Sequence, residues 1–346
     1  MTFISTLGQS QDQIIRLKNL QLGMADLQLQ LTTGKKTQSF KGLETDVITS
    51  KRARADFKKT DSFLQNIQRG QTRIDLMVNG IKTIQTQANN IIDSIVKQTQ
   101  EGDVELDFIR RLADNAFDFI VDTLNLKDGD AFVFAGSDAS SQPIIDTGAL
   151  DAFFGDLNAQ WSAGTLTINP PNTTIYEEYI SRYKNISQVT LGYSGSLSNA
   201  KQVFVRADDN VEINYTVTAN SDPFRDIIAS VMALKNIAEL DIAPGASEDI
   251  RQENFFAVFN DLALTLTNAV DALDNERFKL NTAQAQLADI KSQHTRDREV
   301  LLNTVSRVED ADMNEVAVKI NALSTQIEAS YQVTALVSQL TLVNFL

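Results

Sequence analysis

The chain has 346 residues, 42% of them apolar, enough for two or three domains with real cores. Zero Cys excludes disulfides, thiolate catalysis and thiolate zinc sites, and a single His, His294, excludes multi-histidine metal sites and most histidine-based triads. A net charge of -14 argues against a nucleic-acid or anionic-membrane surface, and no apolar run approaches the roughly 18 residues of a membrane span.

The opening MTFISTLGQSQDQ lacks the order of a cleaved signal peptide, so any export is expected to use another route. Charge is unevenly spread: residues 1–60 carry ten Lys/Arg against five Asp/Glu, while the remainder carries 21 against 40. A nucleic-acid arm is disfavoured even in this basic segment, because only Phe40 and Phe57 could offer stacking rings among its cations. Leu17, Leu20, Met24, Leu27 and Leu31 follow the alternating three and four steps of a coiled-coil seam, closed by Thr32, Thr33 and Gly34. Ile15, Leu22 and Leu29 repeat every seven residues on a neighbouring face, so this helix needs more than one partner.

From Asp46 to about Gln100 one long register runs through Phe57, Thr60, Leu64, Ile67, Gln71, Ile74, Val78, Ile81, Gln85, Ala88, Ile92 and Ile95. Gly70 and Gly80 interrupt its helix propensity, which predicts a bend or a close contact at each. A shorter amphipathic helix follows to Leu124, then a turn at Lys127–Asp130 and the strand-like run Ala131–Gly136. Between 143 and 222, Gly/Asn/Ser-rich breaks and Pro170-Pro171 separate short strand candidates at 165–168, 189–191, 203–205 and 211–217, predicting a compact, mostly β insertion. Helix returns at Pro223, and beyond Pro244-Gly245 a second long register runs from Phe259 to Val308 through Leu266, Leu273, Leu280, Leu287 and His294. A last helix carries Met313, Val316, Ile320, Leu323 and Ile327, then an offset stripe of Leu336, Leu340 and Val343.

The fold class expected is therefore mainly α with an inserted β domain, in which helices from both termini pair antiparallel into a long bundle. Three domains are expected: 1–45 with 305–346 as terminal coiled-coil assembly domain, 46–142 with 223–304 as helical body with a β-hairpin, and 143–222 as the outer insertion. Catalysis is not expected. His294 sits at a heptad core position and reads as a packed histidine. Asp310–Glu315 begins like a calcium loop, but Glu315 stands where Gly is required and Asn321 where a bidentate Glu is required. Asp312 reads instead as a helix cap with Glu315 three residues on. The stretch 101–156, thirteen acids against three bases, reads as a solvated face. No cofactor or metal site is expected.

Two segments at opposite ends carry a resemblance. Leu31-Thr32-Thr33-Gly34-Lys35-Lys36 resembles the "LSSGKR" segment, and Val305-Ser306-Arg307-Val308-Glu309-Asp310-Ala311-Asp312 the "SRIEDAD" segment, of bacterial flagellins and hook-associated proteins. Ile4-Ser5-Thr6, Phe132–Ser137 and Leu340–Leu346 resemble the hook-associated branch of that family, whereas Phe40-Lys41-Gly42-Leu43 departs from the Asp-Asp turn many relatives carry. The Arg-rich segment by which flagellins are sensed by innate receptors is missing near 84–102.

The resemblance implies a self-assembling structural subunit of the extracellular flagellum, forming a homo-oligomeric ring where hook meets filament. Its partners would be other hook-associated proteins and flagellin, with an export chaperone and the flagellar type III route, and with neither nucleic acid nor membrane. The implied assembly interface is Leu17, Leu20, Met24, Leu27, Leu31, Leu323, Ile327, Leu336, Leu340 and Val343, held unpaired in the monomer. A filament subunit and a carbohydrate-binding surface protein using Trp161, Tyr176, Tyr179 and Tyr183 remain alternatives.

Overall fold

The computed structural model describes residues 3–101, 104–237, 243–245 and 247–343. Eight helices are described: α1 Phe3–Thr33, α2 Val47–Glu101, α3 Leu106–Leu124, α4 Gly148–Ser162, α5 Ile175–Lys184, α6 Asp222–Lys235, α7 Glu248–Glu309 and α8 Met313–Val343. Two 3-10 helices, Phe40–Asp46 and Leu197–Asn199, and two hairpins, β1 Lys127–Asp128 with β2 Ala131–Phe132 and β3 Phe204–Asp208 with β4 Val211–Asn214, complete the described regular structure. The chain is mainly α with a small β component, as the periodicities predict. The first proline is at 143, so nothing interrupts the backbone hydrogen bonding of α1 to α3 through a missing N–H. Contacts divide the chain into two units, residues 1–62 with 293–346 (unit 1) and residues 63–292 (unit 2).

Within unit 2, α2 and α7 bury the two long registers. Ile67, Ile74, Ile81 and Ala88 of α2 share one core with Leu266, Leu273, Leu280 and Leu287 of α7. Among them lies one buried amide with all its reach satisfied. Gln85 Nε2 donates to the Val270 carbonyl at 3.0 Å and to Asp274 at 2.9 Å, while Arg277 Nη1 donates to Gln85 Oε1 at 2.7 Å. Helix α6 is buried nearly all round, with Phe224, Ile227, Val231 and Leu234 inaccessible to solvent.

The expected close contacts at the glycines of α2 are present. A Cβ on Gly80 would stand 3.2 Å from Phe134 Cζ and from Thr123 Cγ2, and one on Gly70 would overlap Val205 Cγ2 outright. Gly70→Ala sets a helix-propensity gain of about 1 kcal/mol against overpacking of about 1–3 kcal/mol on a buried β-branched neighbour. The second wins because valine has little rotamer freedom. A loss of about 1–2 kcal/mol in thermal or urea unfolding is expected, and a gain in stability would show that β3 yields without cost.

The segment 143–222 differs from its expected mostly β character. It holds two helices, α4 and α5, and a single hairpin; 165–168 and 189–191 are not strands. Leu150, Phe154, Leu157 and Trp161, spaced four, three and four apart, form the buried face of α4. A capping box starts α5, with Thr174 accepting from Glu177 N and Glu177 accepting from the Thr174 backbone. Ile144, Phe154, Trp161, Tyr183 and Val205 belong to the same apolar cluster as α2, α3, α6 and α7. The segment therefore packs into the body of unit 2 and has no separate core; its excision is expected to break cooperative unfolding.

Candidate functional site

In unit 1, α1 and α8 lie antiparallel along each other: Gly34 pairs with Ala311, Gly23 lies against Leu323, and Gln21 donates to Tyr331 Oη at 2.9 Å. Leu17, Leu20, Met24 and Leu27 are half-buried along α1, and on α8 Val316 is buried and Ile320, Leu323 and Ile327 are half-buried. The first seam is thus closed by the chain's own C-terminal helix, which corrects the expectation of terminal helices left unpaired in the monomer. The reason is geometric, since each helix carries the same three-and-four spacing and the antiparallel turn brings the two stripes face to face. Leu31 and Leu336 stay exposed, and the side chains of Leu340 and Val343 lie outside the described residues.

The second stripe finds no cover. Ile15, Leu22 and Leu29 are 56%, 60% and 44% exposed, with Ile14 exposed beside them; on α8, Val318, Val333 and Leu336 are exposed. These exposed apolar side chains recur at heptad spacing along one side of α1. Leu20→Asp should therefore melt the α1–α8 pair, seen as lost helicity in circular dichroism, whereas Leu22→Asp should leave the melting curve within about half a kcal/mol of wild type. Equal losses would show that Leu22 is already covered in the monomer.

The two resembling motifs meet at one corner of unit 1. Gly34, at φ 69, ends α1 in the left-handed conformation that glycine adopts without strain, and its N–H returns to the Gln30 carbonyl at 2.8 Å. The chain then pairs antiparallel with the end of the second motif: Lys36 N donates to the Glu309 carbonyl at 2.8 Å and Ala311 N to the Gly34 carbonyl at 2.9 Å. Glu309 is buried and takes Arg54 in bidentate fashion, Nε to Oε1 at 2.6 Å and Nη2 to Oε2 at 2.5 Å, plus Ser50 Oγ at 2.6 Å. Lys35 Nζ reaches Asp310 Oδ1 at 2.5 Å and lies 3.5 Å from Glu309. The guanidinium hydrogen bonds hold the Glu309 carboxyl down at about 2, against the cost of burial, while Lys35 and Ser306 lower that of Asp310. Asp312 then caps α8, accepting from Asn314 N at 2.9 Å and Glu315 N at 3.3 Å. A cavity of about 240 Å³ opens beside this corner, lined by Lys35, Thr37, Ser39, Phe40, Leu43 and Arg54. Its cations are already engaged by Glu309 and Asp310.

Arg54 and Ser50 were not legible as partners of Glu309; the only sequence signal was the excess of cations in the first 60 residues. His294 is buried on α7, as its heptad position predicts. Of the four rings that the carbohydrate-binding alternative would use, Tyr176 is half-buried, and Trp161, Tyr179 and Tyr183 are buried and pack edge to face, 5.1 Å and 6.4 Å between successive centroids. Glu178 is buried near them with four donors within 2.9 Å, from Asn169, Asn172 and Arg182, a closed carboxylate that ties the 169–172 loop to α5. Among the described residues, no group of three His, Asp or Glu is placed to hold a metal ion, and no helix is long and apolar enough to cross a membrane.

Comparison with known proteins adds one family match. Residues 264–346 match the model of the bacterial flagellin C-terminal helical region. No curated protein matches the chain by sequence. A solved chain described as a flagellar hook-associated protein from Vibrio parahaemolyticus superposes with a TM-score of 0.39 at 10% identity, covering 73% of this chain and 96% of that one.

Proposed function

We propose that this chain, whose residues 264–346 carry the flagellin C-terminal helical region, is a structural subunit of the bacterial flagellum that assembles through its terminal helices at the junction of hook and filament. The observation that carries the reading is the half-finished burial of the α1–α8 pair. One seam is closed within the chain, and a second apolar stripe along Ile15, Leu22 and Leu29 is left for a neighbour. Burying three such side chains offers roughly 1.5–3 kcal/mol each before ordering costs, enough to drive association when several neighbours dock together. The junction, rather than the filament shaft, is favoured by the segments at Ile4–Thr6, Phe132–Ser137 and Leu340–Leu346 that resemble the hook-associated branch. On this reading its axial neighbours are flagellin and other hook-associated proteins. Its export runs through the flagellar type III channel with a chaperone.

Immunogold labelling of flagella, beside imaging of a strain lacking the gene, tests this. A single labelled band between hook and filament, with bare hooks in the deletion strain, is expected. Label along the whole filament would replace the junction by a shaft subunit, and complete flagella in the deletion strain would overturn both. Complementation with Leu22→Asp should fail although that variant folds.

A further inference from the structure

Two exposed helix faces, one in each unit, match each other in length and oppose each other in charge. The first is the start of α2 in unit 1. Ile48, Arg52, Ala55 and Lys59 follow steps of four, three and four along its solvent side, with Lys51 and Lys58 on the flank, and Ile48 is 61% exposed. The second is the solvent side of α3 in unit 2. Phe108, Arg111, Asn115 and Phe119 run along it, bordered by Asp118 and Asp122, and the two phenyl rings are 42% and 51% exposed. Each stripe spans eleven residue steps, about 16 Å of helix. Between 47 and 59 the only acid is Asp56 against five bases; between 106 and 124 four Asp stand against two Arg.

From this complementarity we infer that the α2 face of one copy docks on the α3 face of a second copy, with the exposed apolar side chains covered in the contact and the basic and acidic borders opposed. The inference rests on the proposed reading of the chain as a self-assembling subunit and specifies a contact outside the terminal pair. Because two different faces meet, the contact is heterologous and repeats from copy to copy, as a ring or helical array requires. Exposed Phe on a charged helix face costs solubility unless it is covered, and opposed charge borders both orient the encounter and reject like faces.

The absence of Cys makes the test direct. Full-length Ala55→Cys and Asn115→Cys chains, carrying tags of different size, are mixed, assembled and oxidised. Asn115 stands opposite Ala55 when the helices run parallel and Leu112 does when they run antiparallel, so a Leu112→Cys chain is tested beside it. A mixed disulfide dimer is expected. Adding Arg52→Glu and Lys58→Glu to the first chain should lower its yield at least tenfold, and adding Asp118→Lys and Asp122→Lys to the second should restore it. Sedimentable assemblies with neither a 55–115 nor a 55–112 disulfide, or a yield indifferent to the charge reversals, would overturn this contact while leaving the subunit reading intact. Failure of wild-type chains to assemble even on purified hook ends would remove the reading and the contact together.

Discussion

Ile74→Asp lowers the melting temperature of the purified chain by about 10 °C or more. Ile74 is completely buried in the α2–α7 core of unit 2, among Ile67, Ile81, Leu280 and Leu287. Removing its branched side chain forfeits the transfer energy of the lost methyl groups and leaves a cavity, about 2–4 kcal/mol together. A carboxylate in that place must either ionise without a partner or stay protonated at neutral pH, which adds about 1–3 kcal/mol more. The sum is a large part of a total stability of roughly 5–15 kcal/mol. Since burial raises the folded-state pKa of the introduced group, the added penalty is present at neutral pH and fades as pH falls below the ordinary carboxylate value. Melts at pH 7 and pH 4.5 check this: the variant should regain part of its deficit in acid, and a deficit independent of pH would assign the whole loss to the cavity.

Glu309→Gln should loosen the corner where the two terminal motifs meet. Its carboxyl ionises near 2 in the folded chain against an ordinary value of 4.5. The shift corresponds to about 3 kcal/mol, reduced to about 2 because Arg54 and Lys35 are themselves partly in solvent. A group with a depressed folded pKa stabilises above its unfolded pKa and loses that contribution as pH falls toward the folded one. The difference between wild type and Glu309→Gln should therefore be full above about pH 5 and close between about 4.5 and 2. Amide exchange around Gly34–Lys36 and Ala311–Val316 should be about thirtyfold faster in the variant at neutral pH, as a loss of about 2 kcal/mol implies. Unchanged exchange there would mean that the backbone pairing of Lys36 with Glu309 holds the corner without the carboxylate.

The long elements were legible because a stripe repeated over many turns leaves little ambiguity: Ile67, Ile74 and Ile81 on α2, and Leu266, Leu273 and Leu280 on α7, are the core their spacing predicts. The second stripe on α1 was legible for the same reason. What failed was the middle of the chain. Gly148, Gly155 and Asn158 dilute the helix propensity of α4, so a buried face at Leu150, Phe154, Leu157 and Trp161 went unread between loop-like flanks. The runs at 165–168 and 189–191 have strand-forming residues but no neighbouring strand to pair with, and propensity without a partner does not make a sheet. The Glu309 corner was only half legible. Its two motifs could be recognised, but which cation answers Glu309 depends on a pairing 255 residues apart, and local sequence carries no signal of that.

A heptad repeat is indifferent to its own origin. Slide one helix past another by seven residues, about 10.5 Å, and nearly every leucine finds an equivalent berth. Helices as long as α2 and α7 thus run the hazard of a stagger error that hydrophobic burial alone would scarcely oppose. Gln85 breaks that degeneracy like a tooth on a ruler. Only in one alignment do its amide N–H groups reach the Val270 carbonyl and Asp274 while its oxygen receives Arg277. In any other alignment those groups are buried without partners, at about 1–3 kcal/mol for each. The buried Gln85 thereby indexes the pair, and the two helices settle at a single stagger.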